Sequence, residues 1–178
     1  MLIVVGSRRN GNSLALAKLI KSELDKDRIR TDIIVPGDQR IHICTGCMDC
    51  DATGVCDFID DMKRNIELIK KEDVIMFITP VRWNLLSGDI KIFMDRLNPL
   101  YARRELAGKK AIVVSIGAKP KDVYSSFEAG ASIRNFIEAA EMECVHTWEF
   151  NDCKDDKDLM EKREDLQTFV ENVRKKCI

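Results

Sequence analysis

The chain has 178 residues, of which 45% are hydrophobic and 33% are charged, and its net charge is −1 at pH 7. This length and composition predict a single globular domain over residues 1–178, with enough apolar residues for a sizeable core. A net charge near zero excludes a general attraction to nucleic acid or to an anionic membrane. Apolar stretches such as 74–78 are too short to cross a bilayer, and the sequence does not open on a signal-peptide pattern. We therefore expect a cytoplasmic protein.

Short apolar runs alternate with amphipathic segments along the chain, and this alternation predicts strands and helices in turn. The predicted strands are residues 2–5, 31–35, 74–79, 111–116 and 144–150. The predicted helices are residues 12–27, 60–71, 87–97, 125–141 and 155–176. The fourth helix opens on Ser125 and Glu128, a capping-box pattern. The order predicts a doubly wound α/β fold, with a five-stranded parallel sheet in three α/β/α layers, whose ligands bind where the strands end.

The loop after the first strand is rich in groups that bind anions. Two glycines let its backbone approach a ligand closely, and the helix that follows begins with free N–H groups. The spacing fits neither the dinucleotide pattern nor a Walker loop, so a mononucleotide phosphate such as that of FMN fits better. The alternative is that these residues serve only to cap the helix. The candidate phosphate contacts are Ser7, Arg9, Asn10, Gly11, Asn12 and Ser13.

The loops after strands three and four are the candidate sites for a flavin ring. Trp83 offers a flat apolar face, and Asn84 can bond the polar edge of an isoalloxazine. A lone aromatic is more commonly a core residue, but its position after a strand favours the functional interpretation. Gly117 would permit close approach to the ring. The candidate ring contacts are Pro80, Val81, Arg82, Trp83, Asn84, Ser115 and Gly117.

Four of the seven cysteines lie in the loop after strand two, at Cys44, Cys47, Cys50 and Cys56. This window is too tight for a disulfide framework, so the spacing indicates metal or redox chemistry. Three thiolates at three-residue spacing, with a fourth shortly afterwards, can surround an iron–sulfur cluster. Zinc is an alternative, although structural zinc sites usually present two separated cysteine pairs. Free thiols are the third alternative.

The second flavin block reads Thr-Pro-Val-Arg-Trp-Asn-x-x-Ser-Gly-x-x-Lys-x-Phe-x-Asp-Arg from Thr79 to Arg96. Together with the phosphate loop, it resembles the NADPH-dependent FMN reductase and flavodoxin-like family over most of the chain. The resemblance implies the strand order 2-1-3-4-5 and an FMN cofactor. The chain departs from the family pattern in a phosphate loop one residue shorter, and in Arg82 where members often have tyrosine.

The four-cysteine loop, residues 44–56, resembles that of the iron–sulfur flavoproteins, a branch of this family with a [4Fe–4S] cluster close to FMN. The resemblance implies that all four cysteines are cluster ligands. It also implies a homo-oligomer, either dimer or tetramer, and electron transfer with a protein partner such as ferredoxin. The alternatives are a cluster-free reductase of flavin or quinone with NAD(P)H as donor, and a zinc-stabilised binding module.

Overall fold

Nearly continuous apolar runs form the three central strands, as expected for a parallel sheet that is covered on both faces. The computed structural model describes residues 1–123 and 126–177. Within these residues one parallel sheet has the order β2-β1-β3-β4-β5. Its strands are β1 (Leu2–Val5), β2 (Asp32–Ile34), β3 (Val74–Pro80), β4 (Lys110–Ile116) and β5 (Glu143–Phe150). The predicted strand order is confirmed.

The helices follow the predicted alternation, with differences at three places. They are α1 (Asn12–Lys26), α2 (Asp49–Thr53), α3 (Met62–Lys71), α4 (Gly88–Asp95), α5 (Asn98–Ala102), α6 (Phe127–Ala139), α7 (Asp158–Glu161) and α8 (Arg163–Cys177). The short helices α2 and α5 were not predicted. The prediction of one continuous helix over 155–176 is wrong, because Lys162 has a non-helical backbone (φ −80°, ψ 60°) and separates α7 from α8. The predicted cap Ser125 lies outside the described residues.

The core has two halves, one on each face of the sheet, because successive strand side chains point to opposite faces. Ile3 and Val5 of β1 pack with α1, α7 and α8 on one face. Leu2 and Val4 pack with α3, α4, α5 and α6 on the other. This arrangement is the predicted three-layer α/β/α fold. No helix among residues 1–123 and 126–177 combines the length and the apolar character needed to cross a membrane.

Two hydrogen bonds join the ends of neighbouring strands and so place the candidate loops along one edge of the sheet. The Gly6 N–H donates to the Ile78 carbonyl at 2.8 Å, and the Val81 N–H donates to the Ile116 carbonyl at 2.9 Å. The cysteine loop continues from β2 along the face that is covered by α3 and α4. The residues predicted to contact a flavin therefore lie along one edge of the sheet. The cysteines lie beside α4 and α5.

Candidate functional site

The loop after β1 packs tightly against the start of α4. A Cβ placed on Gly6 would overlap the Ser87 hydroxyl oxygen and the Ile90 side chain. Only glycine fits this close approach. Ser87 caps α4, its hydroxyl accepting a hydrogen bond from the Ile90 N–H at 3.4 Å. The phosphate-loop candidate and the β3–α4 loop are thus held together at the edge of the sheet.

The start of α1 offers backbone N–H groups, and the Asn12 side chain is already bound to the protein. Asn12 is buried, and its amide donates to the backbone carbonyl of Asp155 at 2.8 Å. Its amide oxygen accepts from the Leu159 N–H at 3.3 Å. Only the backbone N–H of Asn12 is therefore available for the predicted contact with a phosphate. Gly11, as N-cap, leaves the first turn of the helix without a side-chain partner among the described residues.

Asp156 lies beside the predicted phosphate position, and the sequence did not indicate this. Its carboxylate pairs with the Arg9 guanidinium at 2.6 Å, both side chains being more than half exposed. A Cβ on Gly11 would lie only 2.8 Å from the same carboxylate oxygen. A phosphate bound here would have to share or displace the Arg9–Asp156 pair. Ser7 is half-buried and Asn10 is exposed in the same loop, whereas Ser13 is buried in the first turn of α1.

The loop after β3 forms a two-residue hairpin with Trp83 and Asn84 at its tip. Arg82 and Leu85 exchange two backbone hydrogen bonds of 2.9 Å. Both tip residues have positive φ, 50° for Trp83 and 63° for Asn84, as in a type I′ turn. Trp83 is 98% exposed. The core interpretation of this tryptophan is therefore wrong, and its ring stands free at the edge where a flavin was predicted.

The end of β4 contributes backbone and not the Ser115 side chain. Ser115 is fully buried, and its hydroxyl lies 3.5 Å from the ideal Cβ position of Gly130 in α6. Its hydroxyl therefore faces a helix on one side of the sheet. Gly117 approaches Val81, with 3.6 Å between its ideal Cβ position and the Val81 side chain. Val81 and Gly117 thus lie together where β3 and β4 end, and contact of Pro80, Val81 and Gly117 with a flavin ring stays a prediction.

All four cysteines of the loop line one cavity of about 390 Å³. Cys44 and Cys47 are exposed, Cys56 is half-buried and Cys50 is buried. Each is a free thiol. The predicted cysteine set therefore surrounds a common space, although its members differ in exposure.

Local backbone geometry turns the cysteine segment around this cavity. Gly46, Met48 and Gly54 all have left-handed backbone, with φ between 69° and 72° for the glycines and 68° for Met48. Met48 and Gly54 flank α2, and the Gly54 N–H donates to the Cys50 carbonyl at 2.8 Å. Glycine adopts this backbone without strain, which suits Gly46 and Gly54 to the turns of the segment.

A single metal ion does not fit the arrangement. No set of three or more His, Cys, Asp or Glu side chains in residues 1–123 and 126–177 is gathered so that it could hold one ion. A tetrahedral zinc site with bonds of about 2.3 Å requires sulfurs roughly 3.8 Å apart. A four-iron cluster places one thiolate at each iron and so takes sulfurs spread around a larger space. Four thiols around one cavity are a donor set that such a cluster can take.

Arg96 connects α4 to the cysteine segment through a buried ion pair. The side chains of Arg96 and Asp60 are 1% and 0% exposed, with 2.6 Å between Nη1 and Oδ2. Nη1 also donates to the His42 carbonyl at 2.7 Å, and Nη2 donates to the Cys56 sulfur at 3.4 Å. The guanidinium lies 4.9 Å from the centre of the Phe58 ring, on which the His42 ring is stacked.

Asp60 is ionised in this environment. Burial by itself would raise the pKa of Asp60, but hydrogen bonds from Arg96 and from the backbone N–H groups of His42 and Met62 outweigh it. The pKa of Asp60 is therefore lowered from its ordinary value. For Arg96, burial opposes the charge, whereas Asp60 and Cys56 favour it and the pKa is raised. The pair is thus a fixed charge pair beside the cysteine cavity.

A second side chain, Asn98, donates to a cysteine sulfur. Its amide nitrogen lies 3.1 Å from the Cys50 sulfur and 2.7 Å from an Asp51 carboxylate oxygen. Arg103, a few residues later, donates to the Ala52 carbonyl at 3.0 Å. The sequence did not associate Asn98 or Arg103 with the cysteines. No local pattern marks this contact, because 48 residues separate Asn98 from Cys50 along the chain.

The fold and the loops at its edge define a flavodoxin-like α/β protein. The profile of the family described as NADPH-dependent FMN reductase matches residues 1–151. The chain therefore belongs to the NADPH-dependent FMN reductase family.

Two curated relatives each resemble about two thirds of the chain. An iron-sulfur flavoprotein of Methanocaldococcus jannaschii is 31% identical over 111 residues, which are 62% of this chain and 58% of that protein. An iron-sulfur flavoprotein of Archaeoglobus fulgidus is 32% identical over 124 residues, 67% of this chain and 56% of that protein. The chain thus matches only a little over half the length of these relatives.

Solved structures share the fold at low identity. A flavone reductase has a TM-score of 0.73 at 15% identity and covers 97% of this chain and 60% of its own. The Trp repressor binding protein from Bacillus subtilis has a TM-score of 0.65 at 16% identity, covering 97% and 96%. The NADH:FMN oxidoreductase EmoB in its apo form has a TM-score of 0.61 at 19% identity, covering 95% and 86%. At these identities the likeness concerns the fold alone.

Proposed function

We propose that the protein is an FMN-containing electron-transfer flavoprotein whose cysteine segment holds a [4Fe–4S] cluster. The observation that carries the proposal is the cavity of about 390 Å³ with Cys44, Cys47, Cys50 and Cys56 on its wall. The two named relatives, both iron-sulfur flavoproteins, support it. When bound, FMN would exchange one or two electrons and the cluster would exchange single electrons.

The chain's own residues would bind and orient the flavin. Backbone N–H groups at Asn12 and Ser13, at the positive end of α1, would receive the phosphate with help from Arg9, whereas the Gly11 N–H already donates to the Arg9 carbonyl at 2.8 Å. The side chains of Ser7 and Asn10 are in the same loop. Ring contacts would come from Pro80, Val81 and Gly117, from the backbone at Ser115, and from the hairpin of Arg82, Trp83 and Asn84. Arg82 adds a positive charge near a reduced, anionic flavin.

The cysteine segment is open enough for a redox partner to approach. Cys44 and Cys47 are exposed, and so are the large apolar residues Ile43, Met48 and Val55 next to them. A small electron-transfer protein such as ferredoxin is the proposed partner, and NAD(P)H is an alternative donor. We further propose a homo-oligomer, dimer or tetramer, located in the cytoplasm. An oligomer would cover part of the exposed Trp83 hairpin.

A second candidate function is a cluster-free NAD(P)H-dependent reductase of flavin or quinone. It is favoured by the match of the NADPH-dependent FMN reductase family to residues 1–151. In that case Cys44, Cys47, Cys50 and Cys56 would work as thiols. The zinc-stabilised module is disfavoured because no closely gathered set of ligands, as zinc requires, is found among residues 1–123 and 126–177.

Anaerobic purification followed by an absorbance spectrum and by iron and acid-labile sulfide assays tests the proposal. We expect a flavin spectrum and about four irons and four sulfides per chain, as a [4Fe–4S] centre requires. Cys47→Ser should lose most of the iron, whereas Cys144→Ser, outside the cavity, should retain it. Flavin without iron or sulfide would contradict the cluster and favour the second candidate. One zinc per chain and no flavin would contradict both.

A further inference from the structure

We propose that Arg96 and Asn98 are positioning residues of the cysteine site. Their N–H groups donate to the sulfurs of Cys56 and Cys50, hold the segment in place and raise the reduction potential of the cluster that we propose there. This inference deepens the proposed function and rests on it. It concerns side chains from α4 and α5, which supply none of the four cysteines.

The hydrogen bonds of Arg96 fix where its guanidinium points. Its Nη1 atom donates to Asp60 and to the His42 carbonyl, and its Nη2 atom donates to Asp60 at 3.2 Å and to Cys56. All four Nη–H bonds are thus used. Both oxygens of the Asp60 carboxylate are bound, so the planar fork cannot rotate without breaking an ion pair that is almost wholly buried. The donor to Cys56 is therefore held in one orientation before any metal binds.

Arg96 has a further unused donor. Its Nε atom is buried and has no hydrogen-bond partner within the described part of the chain. A buried N–H without an acceptor is costly. Residues 96 and 56 both line a cavity of about 320 Å³ on the α3 side of the segment.

The orientation of the Asn98 amide is fixed by its partners. A carboxylate only accepts hydrogen bonds, so the contact of 2.7 Å with Asp51 must be made by the NH₂ group. The second hydrogen of that group then points to the Cys50 sulfur at 3.1 Å. Asp51 follows Cys50 directly, so Asn98 binds two successive residues of α2. Its amide sets both the position of the helix and the polarity around the sulfur.

Arg103 holds α2 as Asn98 does, but without a bond to sulfur, and so provides a comparison for Asn98. It donates to the Ala52 carbonyl and its stem lies against Gly54, so it also holds α2. Among the described contacts it makes none with a sulfur. Loss of Arg103 would therefore weaken a tether without removing an N–H donor from the cysteines.

The effect on the potential follows from electrostatics. Uptake of one electron makes the cluster and its cysteine sulfurs more negative, so N–H donors stabilise the reduced form more than the oxidised form. Removing a donor should lower the potential. It should also loosen the ligand, and loss of such supporting contacts typically weakens metal affinity by about 10–100-fold.

The test compares reduction potentials of the anaerobic holoprotein by spectroelectrochemical titration, together with the rate of iron loss to a chelator. We expect Asn98→Leu, which removes the donor, to lower the potential and to accelerate iron loss. Asn98→Asp, which replaces the donor by a negative acceptor, should lower it further. Arg96→Lys keeps a charge for Asp60 but gives up the forked geometry, and it should also lower the potential. Arg103→Ala should leave the potential unchanged.

Unchanged potentials in the Asn98 and Arg96 variants would overturn the inference. An equal shift of the reduction potential in Arg103→Ala would also overturn it. The shift would then come from a weaker attachment of α2 and not from the loss of an N–H donor to a cysteine sulfur. If the wild-type protein contains neither iron nor sulfide, the proposed function fails and the effect on the potential fails with it. The positioning role is then decided in the cluster-free protein by amide hydrogen exchange of α2. Faster exchange in Asn98→Leu, but not in the remote variant Arg104→Ala, would support it, and equal exchange would overturn it.

Discussion

The cysteine segment and the flavin edge are built in different ways. At the cysteines, side chains from a distant part of the chain bond to the loop, and the Arg96–Asp60 pair is buried. At the flavin edge, two of the polar side chains are occupied elsewhere: Arg9 pairs with a surface carboxylate and Asn12 bonds to the 153–159 segment. Trp83 stands free.

The difference indicates which part is formed before ligands bind. The cysteine site has its supporting hydrogen bonds in place, because charged groups removed from water must be paired. The flavin edge depends on backbone, on strand ends and on tight glycine contacts. Substitutions that remove a buried charge should therefore affect the cysteine segment most strongly. Substitutions that add a side chain at a tightly packed glycine should affect the flavin edge.

The largest expected effect comes from breaking the buried pair. Asp60→Asn leaves the Arg96 guanidinium buried without its counter-charge, and such a change typically costs about 3–5 kcal/mol. Urea unfolding of the cluster-free protein measures this free energy. The exposed pair Arg104–Glu141 is the control, since Arg104→Ala should cost less than about 1 kcal/mol. A similar small cost for both variants would contradict the distinction between the two regions.

Protonation of Asp60 in acid should reversibly lower the unfolding free energy. The decrease should be no larger than the one caused by Asp60→Asn. The pKa of Asp60 is lowered in the folded protein, so its contribution to stability is present above the unfolded pKa of about 3.9. This contribution should be lost as the pH falls below that value and through the folded pKa. Unfolding free energies measured from pH 6 down to pH 3 test this. The Asp60→Asn variant should show a weaker decline, and an identical decline in both proteins would contradict the assignment.

Gly6→Ala should disturb the flavin edge and leave the cysteines intact. The added methyl group would overlap Ser87 and Ile90, and overpacking of this kind costs about 1–3 kcal/mol. We also expect a lower flavin content per chain, measured by absorbance, at unchanged iron content. Gly88→Ala is the matched control, because a Cβ there meets no atom within 4 Å. Equal flavin loss in the two variants would mean that the contact of Gly6 does not matter.

The smallest expected effect is at Asp156. Its removal in Asp156→Ala frees Arg9 for the phosphate, so FMN should bind more tightly. Exposed pairs are worth less than about 1 kcal/mol, which limits the gain to roughly fivefold. Arg9→Ala should weaken FMN binding instead, as measured by titration of the apoprotein with flavin fluorescence. Weaker binding in Asp156→Ala would show that the carboxylate helps to form the site.

Sequence patterns predict features that depend on neighbouring residues. The fully buried run of β3 and the alternation of strands and helices were sufficient for the strand order, together with the family resemblance. The four cysteines were found by their spacing, and the structure places them around one cavity.

Contacts between distant residues explain what the sequence did not predict. The bond from Arg96 to Cys56 spans 40 residues, and the contact of Asn12 with Asp155 spans 143. Neither has a local signal. The hairpin at Trp83 was missed because its tip lacks the glycine that usually marks positive φ. The helix α2 was missed because five residues are too few for a helical period to be visible.

Helix α4 lies between the two regions and touches both. Its cap Ser87 packs on Gly6 at the flavin edge, and Arg96, directly after its last turn, reaches Cys56. Eight helical residues rise about 12 Å. In the proposed function this helix acts as a fixed spacer between two redox centres of one chain, and electron tunnelling slows steeply with distance. The length of α4 would then fix the separation of the two sites, because an inserted residue would turn Arg96 away from Cys56 or Ser87 away from Gly6.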